Sequence, residues 1–126
     1  VIIPLMEGRL GDILQASVNG TLDKTPLSFK KMHAITVVIA SGGYPGHYET
    51  DKLISGLDRV PDNVIVFHAG TKYDGKAHYT SGGRVLNVTA FGNTLREARD
   101  TVYRMIDTIS FEDSYYRRDI AHRALE

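Results

Sequence analysis

Three apolar runs rich in β-branched residues, each bordered by a glycine-bearing corner, limit what this chain can fold into more than any other feature. Residues 33–40 read His-Ala-Ile-Thr-Val-Val-Ile-Ala and stop at Ser41-Gly42-Gly43-Tyr44-Pro45-Gly46. Residues 64–68 read Val-Ile-Val-Phe-His and stop at Ala69-Gly70-Thr71, and residues 84–91 read Arg-Val-Leu-Asn-Val-Thr-Ala-Phe directly after Ser81-Gly82-Gly83. Nearly continuous apolar character over so short a length predicts strands buried on both faces. Lys76 to Thr80 follows Tyr73-Asp74-Gly75, whose Asp-Gly pair signals a hairpin turn, and Lys52 to Gly56 supplies a further short strand. The expectation is four or five mostly antiparallel strands.

Helical periodicity flanks this β region. After Gly92-Asn93, the segment Thr94-Leu95-Arg96-Glu97 has the side chains of a capping box, in which the threonine oxygen takes an N3 amide and the glutamate reaches back to the cap amide. Leu95, Ala98, Val102, Met105, Ile106 and Ile109 then share one face, so a helix over 94–109 should cover the sheet. From Pro4 to Val18 the apolar positions recur at three to five residues, with Pro4 suited to a first turn and Asn19-Gly20 to a stop, which predicts a second helix. Gly8 and Gly11 inside it each cost about 1 kcal/mol against alanine, so tertiary packing must hold it. The fold class expected is α+β, a small mostly antiparallel sheet with flanking helices.

Length and composition fit one globular domain: 126 residues, 42% hydrophobic and 24% charged. Fifteen basic residues balance fifteen acidic ones, so no net field favours nucleic acid or an anionic membrane, although local contacts can still hold a small anion. Absence of cysteine excludes a disulfide framework and a thiolate metal site and makes a reducing, cytoplasmic setting the simplest reading. No apolar run approaches the roughly 18 residues of a membrane span. The opening Val1-Ile2-Ile3-Pro4-Leu5 has neither an initiator methionine nor a basic leader, so the chain reads as a piece of something longer.

Several chemistries lack their residues. There is no Gly-x-Gly-x-x-Gly opening a helix and no Gly-Lys-Ser/Thr, hence neither a Rossmann site nor a P-loop. His33, His47, His68, His78 and His122 lack the spacing or cysteine partners of a zinc site, and Ser41 lacks the Gly-x-Ser-x-Gly frame of a nucleophile elbow. No catalytic and no metal-ligating residue is therefore assigned. The diglycine corners carry two readings: structural turns or bulges, or bare amides that an anion or polar substrate can approach. Arg84 favours the second, because a guanidinium fork beside free amides makes a workable phosphate or carboxylate clamp. Arg117-Arg118-Asp119 offers a similar cluster, equally compatible with a solvated tail.

Taken in order, Ser41-Gly-Gly-Tyr-Pro-Gly46, Val66-Phe-His-Ala-Gly-Thr71, Gly82-Gly-Arg-Val-Leu-Asn-Val-Thr-Ala90 and Tyr116-Arg-Arg-Asp-Ile120 closely resemble the C-terminal domain of the phosphoribosylamine–glycine ligase (glycinamide ribonucleotide synthetase) family. The resemblance covers nearly the whole chain. In that family these segments follow an ATP-grasp core, and Val1 to Leu5 look like the residues directly after its Arg-Phe-Gly-Asp-Pro-Glu-Thr-Gln signature, which this chain does not contain. The implied activity is purine-synthetic: ATP activates glycine as glycyl phosphate, and the amine of 5-phosphoribosylamine displaces phosphate to give glycinamide ribonucleotide.

The resemblance also implies a division of the chain and of the work. Residues 1–20 would be a helix from the end of the ATP-grasp core and residues 21–126 the C-terminal domain, its sheet curled into the barrel-like hybrid motif found beyond such cores. ATP with Mg²⁺ (or Mn²⁺) would belong to the full-length enzyme, with none bound to this portion, which should be inactive alone. The portion would pack against the core and close one side of the substrate cleft. Related ATP-grasp enzymes carry a Gly-Arg-x-Met-Gly-x-Val-like strand whose arginine grips substrate phosphate, and Gly83-Arg84-Val85-Leu86-Asn87-Val88 looks similar. The expected substrate-binding residues are thus Arg84, Gly83 and Gly82, with Ser41, Gly42, Gly43 and Tyr44 lining the cleft. Other expectations are a structural packing domain, or a stand-alone module that binds a phosphorylated metabolite.

Overall fold

The computed structural model describes residues 1–126, which divide into two compact units, Val1–Met32 and His33–Glu126. In the first, α1 (Ile2–Leu5) leads into β1 (Met6–Glu7), α2 (Leu10–Asn19) follows, and β2 (Ser28–Phe29) pairs antiparallel with β1. One helix over Pro4 to Val18 was expected, and two are present. The first ends at Met6, whose ψ of 138° is extended and opens β1, and Gly8, with a positive φ of 96°, separates that strand from α2. The stop at Gly20 is as expected: its φ of 66° and ψ of 27° put it in the left-handed region, and its amide bonds back to Ala16 and Ser17. Only Ala16 is buried in this unit.

The second unit holds β3 (His33–Ser41), β4 (Leu53–Ile54), β5 (Val64–His68), β6 (Thr71–Tyr73), β7 (His78–Thr80), β8 (Arg84–Gly92), α3 (Leu95–Ile106) and β9 (Ser114–Tyr115). β5, β8, β3 and β9 form a four-stranded sheet in that order, and β4, β7 and β6 a three-stranded one, with every pairing antiparallel. Both sheets are open at their edges and no closed barrel forms. The Asp74-Gly75 turn joins β6 to β7: the Asp74 carboxylate accepts the amides of Lys76 and Ala77 at 2.8 Å each, which also holds its pKa below the ordinary value. The strand after that turn begins at His78 rather than Lys76 because these two amides bind the carboxylate. α3 ends at Ile106, short of Ile109, and a non-helical bend carries Ile109 into the core.

The core lies between the four-stranded sheet and α3. Register sets Ile35 opposite Ala90, Val37 opposite Val88 and Ile39 opposite Leu86, and these cluster with Ala98, Val102, Met105 and Ile106 of the helix. β8 is paired on both sides, so Val85, Leu86, Val88, Thr89 and Ala90 are all fully buried, as a continuous apolar run implies. Thr89 lies on the other face, where its hydroxyl bonds that of Thr36. The β3–β8 register shifts between Ile39 and Ala40, so Ala40 pairs with Arg84 and Val85 is the extra residue of a bulge. Both Val85 and Leu86 can then point inward while Arg84 remains exposed.

Candidate functional site

The three glycine corners meet at one end of the four-stranded sheet. Ser41 joins two of them: its amide donates to the Gly83 carbonyl at 2.8 Å and its hydroxyl to the Gly82 carbonyl at 3.0 Å. The third corner is tied in by Gly70, whose amide donates to the Arg84 carbonyl at 2.8 Å and whose carbonyl accepts the Ser81 amide at 2.8 Å. A Cβ at Gly70 would come within 2.8 Å of the Gly82 Cα, and one at Gly42 within 2.7 Å of the Asp113 carbonyl. At Gly83 it would enter the Tyr44 ring and approach Tyr48 to 3.0 Å. Each of these glycines is therefore required by close packing.

The same corners leave amides unengaged. Gly42, Gly43, Gly82 and Gly83 donate no intramolecular backbone hydrogen bond, and Gly83 is buried while Gly43, with φ of 89°, is exposed. Beside them lies a pocket of about 340 Å³ with Val37, Val38 and Ala40 along its floor and Tyr44, Arg84, Tyr115, Tyr116 and Arg117 around it. The volume sits at the small end of the range for small-molecule sites. The Arg84 side chain enters none of the chain's ion pairs or side-chain hydrogen bonds, so its charge is not neutralised within the protein. Of the sequence-based candidates, Arg84 and Tyr44 line this pocket. Ser41 is buried and commits its hydroxyl to Gly82, and Ser41 and Gly42 border a separate recess with Lys52, Glu112 and Asp113.

The opposite wall comes from the Tyr115–Arg117 segment, which was visible in the sequence as a cluster of tyrosine and arginine with no indication of where it lies. Tyr103 of α3 donates its hydroxyl to the Arg117 carbonyl at 2.7 Å and accepts the Ile120 amide at 3.2 Å. Arg99, one turn earlier, donates to the Ile120 carbonyl at 3.2 Å and the Arg118 carbonyl at 2.9 Å. The Tyr116 hydroxyl donates to Asp107 at 2.8 Å, and burial first, then this carboxylate, pushes its pKa up. Arg117 forms a two-pronged pair with Asp119 at 2.9 and 2.6 Å, which holds Asp119 below the usual carboxylate range.

Away from the pocket, His68 and His78 lie ring against ring at 4.6 Å, Tyr73 is 4.8 Å from His78, and His68 Nδ1 is 3.0 Å from the Thr71 hydroxyl. Burial first, then the His78 charge, holds the His68 pKa below its ordinary value. No group of three His, Cys, Asp or Glu side chains is placed to hold a metal ion. No helix is long and apolar enough to cross a membrane.

Residues 34–123 match the family described as phosphoribosylglycinamide synthetase, C domain. The chain is similar to a phosphoribosylamine–glycine ligase of Chlorobaculum tepidum, 51% identical over 127 residues that cover 99% of this chain and 30% of that protein. It is 41% identical over 121 residues to the bifunctional purine biosynthetic protein ADE5,7 of Saccharomyces cerevisiae, covering 93% of this chain and 15% of that one. Among solved structures, a phosphoribosylamine–glycine ligase from Thermotoga maritima superimposes with a TM-score of 0.71 at 30% identity, covering 94% of this chain and 29% of that chain. The chain thus spans about 30% of the length of the single-activity ligases it matches. A match that runs from the first residues of β3 through the bulged β8 and the arginine-rich segment held by α3 leaves one assignment: the chain belongs to the phosphoribosylglycinamide synthetase C-domain family.

Proposed function

We propose that this chain is the C-terminal part of a ligase that joins glycine to 5-phosphoribosylamine in purine synthesis, and that its pocket receives the ribose-phosphate end of the substrate. On this reading residues 1–20 continue the ATP-grasp core, residues 21–126 pack against it as the C-terminal domain, and the setting is cytoplasmic. The carboxylate of glycine is a poor electrophile until phosphoryl transfer makes it an acyl phosphate; the amine then attacks the carbonyl carbon and phosphate leaves. ATP and Mg²⁺ or Mn²⁺ belong to the core on this reading. The residues here do not fit a divalent ion, since no suitable acidic or histidine cluster is present, and they are given no part in that step.

What this chain contributes is binding and orientation. Holding the phosphate fixes the ribose and so the direction of its amine, which converts an encounter into a near-attack geometry. The observation that carries the proposal is the Arg84 guanidinium, unpaired within the chain, on the lining of a pocket with an apolar floor. Tyr44 forms a wall of the pocket and packs over Gly83, Ser41 fixes the two diglycine corners together, and Gly82, Gly42 and Gly43 shape the turns on which Arg84 and Tyr44 are carried. In the ligase, Arg84→Ala is expected to raise the KM for phosphoribosylamine by about ten- to a hundredfold, the effect of a charged hydrogen bond of about 1.5 to 3 kcal/mol. An unchanged KM removes Arg84 from the site and favours a packing role for the corners.

A further inference from the structure

We infer that Arg117 is a second anion-gripping residue of the pocket that contains Arg84, and that Arg99 and Tyr103 of α3 are the residues that position it. The inference rests on the reading that this pocket takes a phosphate monoester, and deepens it by requiring a dianion held by two guanidinium groups. Arg84 and Arg117 line one cavity whose floor is apolar, so a ligand there meets two guanidinium groups, one unpaired and one held by Asp119. Two forks match the oxygens of a phosphate monoester dianion better than a single carboxylate.

Three features favour Arg117 over an idle surface charge. Its residue range, Tyr116–Ile120, belongs to no helix or strand, yet it is fixed by side chains that reach from α3. Every one of those bonds falls on the main chain: Tyr103 on the Arg117 carbonyl and Ile120 amide, Arg99 on the Arg118 and Ile120 carbonyls. The Arg117 side chain is left out of the clamp. Its one partner is Asp119, in an exposed pair whose members are 64% and 59% accessible, and exposed pairs contribute little. The segment is thus held in place while its guanidinium remains free to exchange Asp119 for a doubly charged phosphate. The sequence neighbour Arg118 differs, since it lies over the Tyr116 ring at 4.9 Å and does not border this cavity.

Titration calorimetry of ribose 5-phosphate into the full-length ligase tests this, with thermal melting used to confirm that each variant is folded. Arg117→Ala is expected to weaken binding about tenfold and Arg117→Lys to recover part of the loss, whereas Arg118→Ala stays within about twofold of the unaltered ligase. Tyr103→Phe, which removes both hydroxyl bonds, is expected to weaken binding and to add nothing further once Arg117 is alanine. Unaltered affinity in Arg117→Ala, with Arg84→Ala still weak, overturns the inference and leaves the phosphate site standing. A Tyr103→Phe loss that persists in full on the Arg117→Ala background removes the positioning role. Loss of the Arg84 effect, or no binding by the unaltered ligase, sinks the pocket reading and this inference with it. Should Tyr103→Phe fail to fold, Arg99→Ala provides the same comparison from the other end of the clamp.

Discussion

At the scale of the residue, Gly83 shows why an absent side chain can matter for a site. Its φ is not in the left-handed region, so alanine there is not excluded by backbone conformation. The obstacle is the Tyr44 ring, which occupies the space a Cβ would need, with Tyr48 close behind. Gly83→Ala is therefore expected to destabilise the chain by about 1 to 3 kcal/mol through overpacking, read as a lower urea midpoint at unchanged slope. Combined with Tyr44→Ala the two losses should be less than additive, because the second change removes the ring that the first one strikes. Strict additivity would show that the contact is not the cause. The sequence identified Gly83 and Tyr44 as members of two separate corners. It did not show that one makes room for the other, because the contact exists only after β3 and β8 have paired and the bulge has aimed Arg84 outward.

At the scale of the element, local chemistry was readable and tertiary chemistry was not. α3 begins where the capping box placed it: Thr94 Oγ1 accepts the Glu97 amide at 3.1 Å, and Glu97 Oε2 accepts the Asn93 and Thr94 amides at 2.7 and 3.3 Å. All of these partners lie within five consecutive residues, and so do those of the Asp74 turn and the Gly20 stop. β9, in contrast, owes its existence to β3, more than seventy residues earlier in the chain, and nothing in Ser114–Tyr115 alone specifies a strand. The helix expected across Gly8 failed for a related reason, since Met6 and Glu7 pair as a strand with Ser28 and Phe29, and Gly8 then turns with a positive φ. Because α3 carries Ala98, Val102, Met105 and Ile106 into the core, its start is coupled to global stability. Thr94→Ala should lower the unfolding free energy by about 1 kcal/mol, within a range of about 0.5 to 2, by equilibrium denaturation. A change of only one or two tenths would mean that packing alone holds the first turn.

At the scale of the whole molecule, burial is distributed unevenly, and the distribution bears on which parts can serve as a rigid site. The clustered core lies entirely within His33–Glu126, while in Val1–Met32 Leu14 is 58% and Val18 82% exposed. α2 has ten residues and includes Gly11, below the roughly 12 to 15 at which an isolated helix becomes even marginal in water. β8 is at the other extreme, hydrogen-bonded on both sides and buried along most of its length. Opening free energies should therefore differ sharply within one chain. Under native conditions, amides of residues 10–19 are expected to exchange with deuterium completely before those of residues 85–91 exchange at all. The segment 116–120 should fall between them, since side-chain bonds from α3 hold it without a strand or helix of its own. This order gives the pocket one rigid wall, β3 and β8 with Arg84, and one clamped wall able to adjust, the Arg117 segment. Equal protection across all three regions would remove that distinction and require both arginines to act from equally fixed positions.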